Sequence, residues 1–173
     1  MKKLNLKNYI RNIPDFPKPG ILFRDITTLL KDKRAFKQAV AELCNKYKNK
    51  KIDKIVAVEA RGFILGGAIA EKLGAGFAPV RKIGKLPWKT NSVTYALEYG
   101  TDTLEMHHDA IEPQDKVLIV DDLLATGGTV KAVTDLVKQL QGKITGIAFL
   151  IELTALKGKD KLKGYNIFSL IKY

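Results

Sequence analysis

Residues 117–120, VLIV, constrain the fold of this chain more than any other stretch. A strand with one wet face alternates apolar and polar side chains, whereas an unbroken apolar run asks to be covered on both faces, as in a parallel sheet. Similar short runs recur at 55–58 and 77–80, and two further strands are expected in ITGIAFLIEL and YNIFSLI. Helical patterns fall between them. Phe36, Ala39, Val40, Leu43, Cys44 and Tyr47 recur at helical spacing; FILGGAIAEKL precedes Gly74, a C-cap; Val133, Leu136, Val137 and Leu140 mark a helix ending at Gly142. Strands alternating with helices predict an α/β fold, a mostly parallel twisted sheet with helices on both faces. One segment breaks the rhythm. Residues 92–99 alternate, with Val93, Tyr95, Leu97 and Tyr99 on one side, and after the GTDT turn TLEMHHDAI is again extended. This hairpin reads as an arm inserted between core strands, able to close over a site.

At 173 residues the chain suits one domain with a single core. No apolar run nears the roughly 18 residues of a membrane span. The start, MKKLNLKNYI, lacks the apolar centre of a signal peptide, so a soluble cytoplasmic protein is expected. The single cysteine, Cys44, excludes an internal disulfide and reads as packing on its helix's apolar stripe. The net charge of +12 invites a nucleic-acid reading. Yet only five of the 30 basic residues are arginine, and the lysines are scattered rather than gathered in a stripe. Solvated surface is the better account.

The apolar run leads into DDLLATGGT, residues 121–129, which holds a contradiction. In doubly wound sheets, ligands bind beyond the carboxyl ends of the strands. Here residues 123–128 turn the chain and a helix is expected to start near Thr129. Unpaired N–H groups and the helix dipole favour an anion at such a start. Gly127 and Gly128 admit close backbone approach, and Thr126 and Thr129 offer hydroxyl donors. A phosphate suits that loop, but Asp121 and Asp122, expected to leave the sheet just before it, do not. Two like charges in contact repel by about 1 kcal/mol in water and about 4 kcal/mol at an effective dielectric of 20. A ribose 5-phosphate lying between them resolves the conflict. Its phosphate would occupy the loop, and its 2- and 3-hydroxyls would donate to the carboxylates. The same charges would favour a cationic sugar carbon. A Walker ATPase needs G-x-x-x-x-G-K-[ST] and a dinucleotide fold needs G-x-G-x-x-G; neither string occurs. A tight turn that is merely rich in Gly and Thr is the plain alternative, and the adjoining carboxylates speak against it.

Residues 117–130 resemble the phosphoribosyl-diphosphate (PRPP) binding motif of the type I phosphoribosyltransferases. Five more segments are similar, in order, to those of the adenine-specific branch of that family: DFPKPGILFRDITTLL (15–30), VEARGF (58–63), RKIGKLP (81–87), LEYG (97–100) and IELTALKG (151–158). The resemblance implies a single domain of the type I phosphoribosyltransferase fold over 1–173. A small N-terminal hood would cover about residues 1–33 and a flexible hairpin arm about 82–110. It implies transfer of phosphoribose from PRPP to adenine, giving AMP and diphosphate in purine salvage, with Mg²⁺ held by PRPP rather than by side chains. A homodimer is implied too, the RK-x-GKLP segment reaching across it.

The resemblance also implies roles. Asp121, Asp122, Ala125, Thr126, Gly127, Gly128 and Thr129 would hold the phosphoribosyl group. Arg61, Arg81, Lys82 and Lys85 would meet the diphosphate, whose oxygens suit arginine's planar fork. Leu22, Phe23 and Arg24 would form one wall of the adenine pocket and Leu153 the other. A main-chain acceptor near Arg24 would take the 6-amino group and reject 6-oxo purines. Glu98 would be the acid–base group for a purine ring proton, with Arg61 also catalytic, and Tyr99 would help close the arm. Pattern alone reads Leu22 and Leu153 equally well as core, Lys82 and Lys85 as a solvated turn, and Glu98 as a solvated strand residue. His107 and His108, lacking partners at metal spacing, are read as structural. The tip at 88–92 departs from the family pattern. Two other readings compete. A 6-oxopurine phosphoribosyltransferase is opposed by FRDITTLL and LEYG. A non-catalytic, PRPP-sensing regulator that binds nucleic acid is favoured by net charge, but the chain has no spare DNA-binding segment.

Overall fold

The computed structural model describes residues 3–96 and 100–173. By contact the chain divides into two compact units, Met1–Glu42 and Leu43–Tyr173. In the first, β1 (Arg11–Ile13) and β2 (Phe23–Asp25) pair antiparallel, with Ile13 opposite Phe23 and Arg11 opposite Asp25. Asp25 secures this pair. Its carboxylate accepts from Arg11 Nη2 at 2.6 Å and from the Thr27 amide at 2.9 Å, where the short helix α1 (Thr27–Leu30) begins. The Thr27 amide foremost, then the Arg11 and Thr27 side chains, hold the Asp25 carboxyl at about 2 against the opposing effect of burial. Helix α2 (Lys33–Tyr47) follows, with Asp32 Oδ1 accepting from the amides of Arg34 and Ala35, both at 2.9 Å. Of its expected apolar stripe, Ala39, Val40, Leu43, Cys44 and Tyr47 are buried and Phe36 is half-buried.

The second unit is built on a seven-stranded sheet. Strand β3 (Lys54–Val58) leads through α3 (Arg61–Leu73) to β4 (Gly76–Lys82), and β5 (Thr90–Ala96) with β6 (Thr101–His107) forms an antiparallel pair. Strand β7 (Lys116–Leu124) leads through α4 (Gly128–Gln139) to β8 (Lys143–Glu152), and β9 (Ile167–Lys172) closes the edge. The spatial order is β5-β6-β4-β3-β7-β8-β9, parallel from β4 to β9. Both faces are covered, which is why the strand runs are unbroken. Ile55, Ala57 and Phe77 pack on Gly66 of α3, where a Cβ would sit 2.6 Å from the Ala57 methyl. Val56, Val58, Val117, Ile119 and Phe149 join Val133, Leu136 and Val137 of α4 in the main core. Gly74, at φ 66°, ends α3 as expected.

Some boundaries differ from the sequence expectation. β4 runs on to Lys82 because β6 pairs with its end, Arg81 opposite Glu105 and Lys82 opposite Leu104. Arg81 and Lys82 are therefore strand residues, not part of a turn. The stem of the hairpin is built into the sheet edge, and β5 lies along α4, with Asn91 Nδ2 3.4 Å from Gln139 Oε1. Helix α4 stops at Gln139 rather than Gly142, because Gln141 turns the chain at φ 60°.

Candidate functional site

The helices after β3 and β7 carry the chain in opposite directions along the sheet, to β4 and to β8, so a switch point lies between these two neighbours. β3 accompanies β7 only as far as Ala57 opposite Val120, whereas β8 follows it to Leu124 opposite Glu152. Asp121 and Asp122 thus remain in the strand instead of leaving the sheet. Where β3 has ended, the first turn of α3 comes in: a Cβ on Gly62 would lie 2.9 Å from Asp121 Oδ1. The pair is not openly exposed either. Asp122 is 6% exposed, and Asp121 is half-buried with its Oδ1 accepting the Asp122 amide at 2.8 Å. Arg61 Nε stands 2.8 Å from Asp122 Oδ2, close enough for an ion pair though not aligned as a hydrogen bond. Burial pushes the Asp121 carboxyl well above its ordinary value, and the neighbouring Asp122 charge adds to this. Burial raises Asp122 as well, restrained by the Arg61 guanidinium.

Past the strand, Gly127 takes φ 80° and caps α4, which begins at Gly128, one residue before the expected start, without a side-chain cap. The Gly127 carbonyl accepts from the Lys131 amide at 3.0 Å. The amides of Gly128, Thr129 and Val130 consequently have no acceptor within the helix. Residues 128–130 line a cavity of about 80 Å³ together with Asp121 and residues 123–127. The loop rests on Gly158, backbone to backbone: a Cβ on Gly127 would collide with the Gly158 carbonyl, and one on Gly158 with the Ala125 carbonyl. Tyr95 Oη, from β5, lies 3.4 Å from Thr129 Oγ1.

The basic segment is organised by carboxylates. The Glu59–Ala60 peptide before α3 is cis. Glu59 accepts from Arg81 Nε at 3.0 Å and from the Lys82 amide at 2.7 Å. Burial raises Glu59, but the Lys82 amide and Arg81 together outweigh it and leave the carboxyl below its ordinary range. Arg81 Nη1 also donates to the Lys85 carbonyl at 2.9 Å. Lys82 Nζ pairs with Asp102 at 2.9 Å, which raises the ammonium's pKa. Buried Glu105 accepts the amides of Lys85 and Leu86, both at 3.0 Å, while the Lys85 side chain is exposed.

Leu22, Phe23 and Arg24 belong to the first unit. Leu22 is 45% exposed, the Phe23 ring stands edge-on to Phe16 at 5.2 Å, and Arg24 Nη1 donates to Asn12 Oδ1. Leu153, in the second unit, is half-buried, its amide donating to the Leu124 carbonyl at 2.9 Å. Neither Leu22 nor Leu153 is core, one of the two readings that pattern allowed. Glu98 and Tyr99 lie outside the described residues. His108 Nδ1 meets Asn91 Oδ1 at 2.9 Å, and the described residues contain no group of three His, Cys, Asp or Glu able to hold a metal.

The sequence model of the phosphoribosyl transferase domain matches residues 27–172. The chain belongs to the phosphoribosyltransferase family. It is 57% identical over 169 residues to an adenine phosphoribosyltransferase of Halothermothrix orenii, covering 98% of this chain and 99% of that protein. The solved adenine phosphoribosyltransferase of Thermoanaerobacter pseudethanolicus matches with TM-score 0.95 and 55% identity, over 97% of this chain and 98% of that one. The Saccharomyces cerevisiae enzyme, solved with an imino-altritol bisphosphate and adenine, matches with TM-score 0.90 and 40% identity, over 95% and 96% of the two chains. The mostly parallel seven-stranded sheet flanked by helices is thus the type I phosphoribosyltransferase fold.

Within this phosphoribosyltransferase, sequence reasoning passed over Glu59, Glu105 and Gly158. One available signal was Glu105 itself, a lone carboxylate between apolar Leu104 and Met106 in a strand, which burial would oblige to find donors. Gly158 and Glu59 sat inside quoted motifs without a stated purpose. Their partners are remote in the chain, Arg81 lying 22 residues beyond Glu59.

Proposed function

We propose that the chain transfers the 5-phosphoribosyl group of PRPP to N9 of adenine. The bond from C1 to the diphosphate oxygen breaks, a C1–N9 bond forms, and the N9 proton leaves the purine. The observation that carries this reading is one cavity lined both by an uncapped helix start and by half-buried Asp121.

In this reading Ala125, Thr126, Gly127, Gly128 and Thr129 take the 5-phosphate with backbone N–H groups and hydroxyls. Asp121 and Asp122 accept from the ribose hydroxyls and stabilise positive charge developing at C1. Their buried charge is costly in the free protein, and a cationic sugar offsets that cost in the transition state. Arg61, Arg81, Lys82 and Lys85 receive the diphosphate, and Leu22, Phe23, Arg24 and Leu153 are the residues assigned to adenine. Glu98 handles the purine proton, and Tyr99 shields the activated sugar from water. Mg²⁺ supplies charge neutralisation of the diphosphate. Carried on PRPP, it would be held by phosphate oxygens and retained waters rather than by an all-protein cage. A homodimer is proposed; exposed Ile64 and Phe77, with Phe63 edge-on to Phe77 at 5.6 Å, offer an apolar face for a second copy. No helix among the described residues is long and apolar enough to cross a membrane; a cytoplasmic setting is proposed for this salvage step.

Supplying PRPP with adenine, hypoxanthine and guanine in turn tests the reading. AMP from adenine alone is expected. Nucleotide from a 6-oxo purine instead, or no nucleotide but a PRPP-dependent shift of DNA mobility, overturns it. For Glu98→Gln, turnover drops about 100-fold with PRPP binding retained; unchanged turnover removes Glu98 from the mechanism.

A further inference from the structure

We infer that Tyr95 is a positioning residue for the phosphate end of the substrate: its hydroxyl donates to Thr129 Oγ1, leaving the Thr129 proton for the phosphate. The two hydroxyls stand 3.4 Å apart, the tyrosine on β5 and the threonine in the first turn of α4. Tyr95 is held on both sides. Its ring packs against the main core and lies 3.7 Å from where a Cβ on Gly128 would be. Across the hairpin it stands opposite Asp102, whose carboxylate is engaged by Lys82 at 2.9 Å.

The direction of the contact follows from counting protons. A phosphate dianion only accepts, and each hydroxyl has one proton to give. If Thr129 spends its proton on Tyr95, none is left for the ligand. If Tyr95 donates, Thr129 can serve the phosphate, and each bond polarises and strengthens the other. A separation of 3.4 Å is long for an O–H···O bond, usually about 2.7–2.8 Å. The contact is therefore weak in the free protein and tightens when the anion arrives. No other described contact links the hairpin stem to residues of the proposed phosphate loop through hydroxyls.

The inference rests on the phosphate cradle proposed above. Calorimetric binding of AMP and of adenosine to the full chain separates the two ideas, using the wild type, Tyr95→Phe, Thr129→Val and the double variant. Wild-type protein is expected to prefer AMP strongly. Tyr95→Phe keeps the ring, and it should weaken AMP about three- to tenfold while leaving adenosine unchanged. In the Thr129→Val background the same change should produce no further loss, since the hydroxyl it served is gone. In turnover, KM for PRPP should rise more than kcat falls. Equal weakening of AMP and adenosine would mean the tyrosine merely packs, and undiminished AMP binding or a loss that persists without Thr129 would also overturn its role. No wild-type preference for AMP over adenosine removes the cradle itself, and Tyr95's role with it.

Discussion

Residues 125–129 and residues 81–85 lie in one unit and are both proposed to meet phosphate groups, yet they are built in opposite ways. The first has no charged side chain. It works through backbone amides at a helix start, fixed by a left-handed Gly127 and by contact with the Gly158 backbone. The second relies on cations, and two of these are already engaged: Arg81 with Glu59 and Lys82 with Asp102. Arg61 is likewise paired with Asp122. Backbone dipoles cannot swing away or lose their polarity, so the cradle is ready without ligand. Flexible cations need carboxylates to hold them in place, and a diphosphate must compete with those carboxylates. The difference suits a reaction in which one phosphate stays with the product and the other departs.

Breaking the rigid side should cost most. Gly127→Ala forces a side chain into a left-handed conformation, at about 1–2 kcal/mol, and into collision with the Gly158 carbonyl. AMP synthesis should fall roughly 100-fold or more, with weaker binding of AMP and PRPP alike and a lower melting temperature. Near-normal AMP affinity would show that the loop adapts and that readiness is not its principle.

Asp121→Asn should separate activity from stability. Turnover is expected to drop about 10- to 100-fold, while the fold becomes more stable at neutral pH because a charge costly to bury is gone. The sign follows from the raised carboxyl. Asp121 binds its proton more tightly folded than unfolded, so wild-type stability rises as pH falls through the folded value and levels off below 3.8, the ordinary one. The variant's advantage should shrink over that window. A variant no more stable than wild type at neutral pH would mean that Asp121 is not strained by its charge.

The smallest effect is expected on the flexible side. Glu59→Gln weakens the hold on Arg81 and should raise KM for PRPP about three- to tenfold. AMP has no diphosphate, so its affinity should not change. If AMP binding suffers equally, the two regions are not separable.

The sequence made most of the phosphate loop legible because an apolar strand, two glycines and two threonines fall between Val117 and Thr129 and a helical period follows them; the contact with Gly158 lies outside that stretch. The sheet was legible for the same reason. Its strand ends were not, since whether Asp121 and Asp122 stay in β7 is decided by how far β8 accompanies it. The carboxylates that hold the cations escaped notice because their partners are remote along the chain, Arg81 lying 22 residues beyond Glu59 and Lys82 reaching Asp102 on β6. Leu22 and Leu153 were ambiguous because an apolar residue at a strand end has the same pattern whether it meets protein or ligand.

The meeting of Gly127 with Gly158 has a consequence for what fits the site. Leu153 is tied to Leu124 through its amide, and five residues later Gly158 bears on the phosphate loop. On the proposed reading, a wall for the purine and the seat for the phosphate are therefore mounted on the same pair of strands, like the jaws of a caliper locked at one opening. Such a gauge selects by length: a nucleotide one carbon longer or shorter between base and phosphate would fail to seat at both ends together.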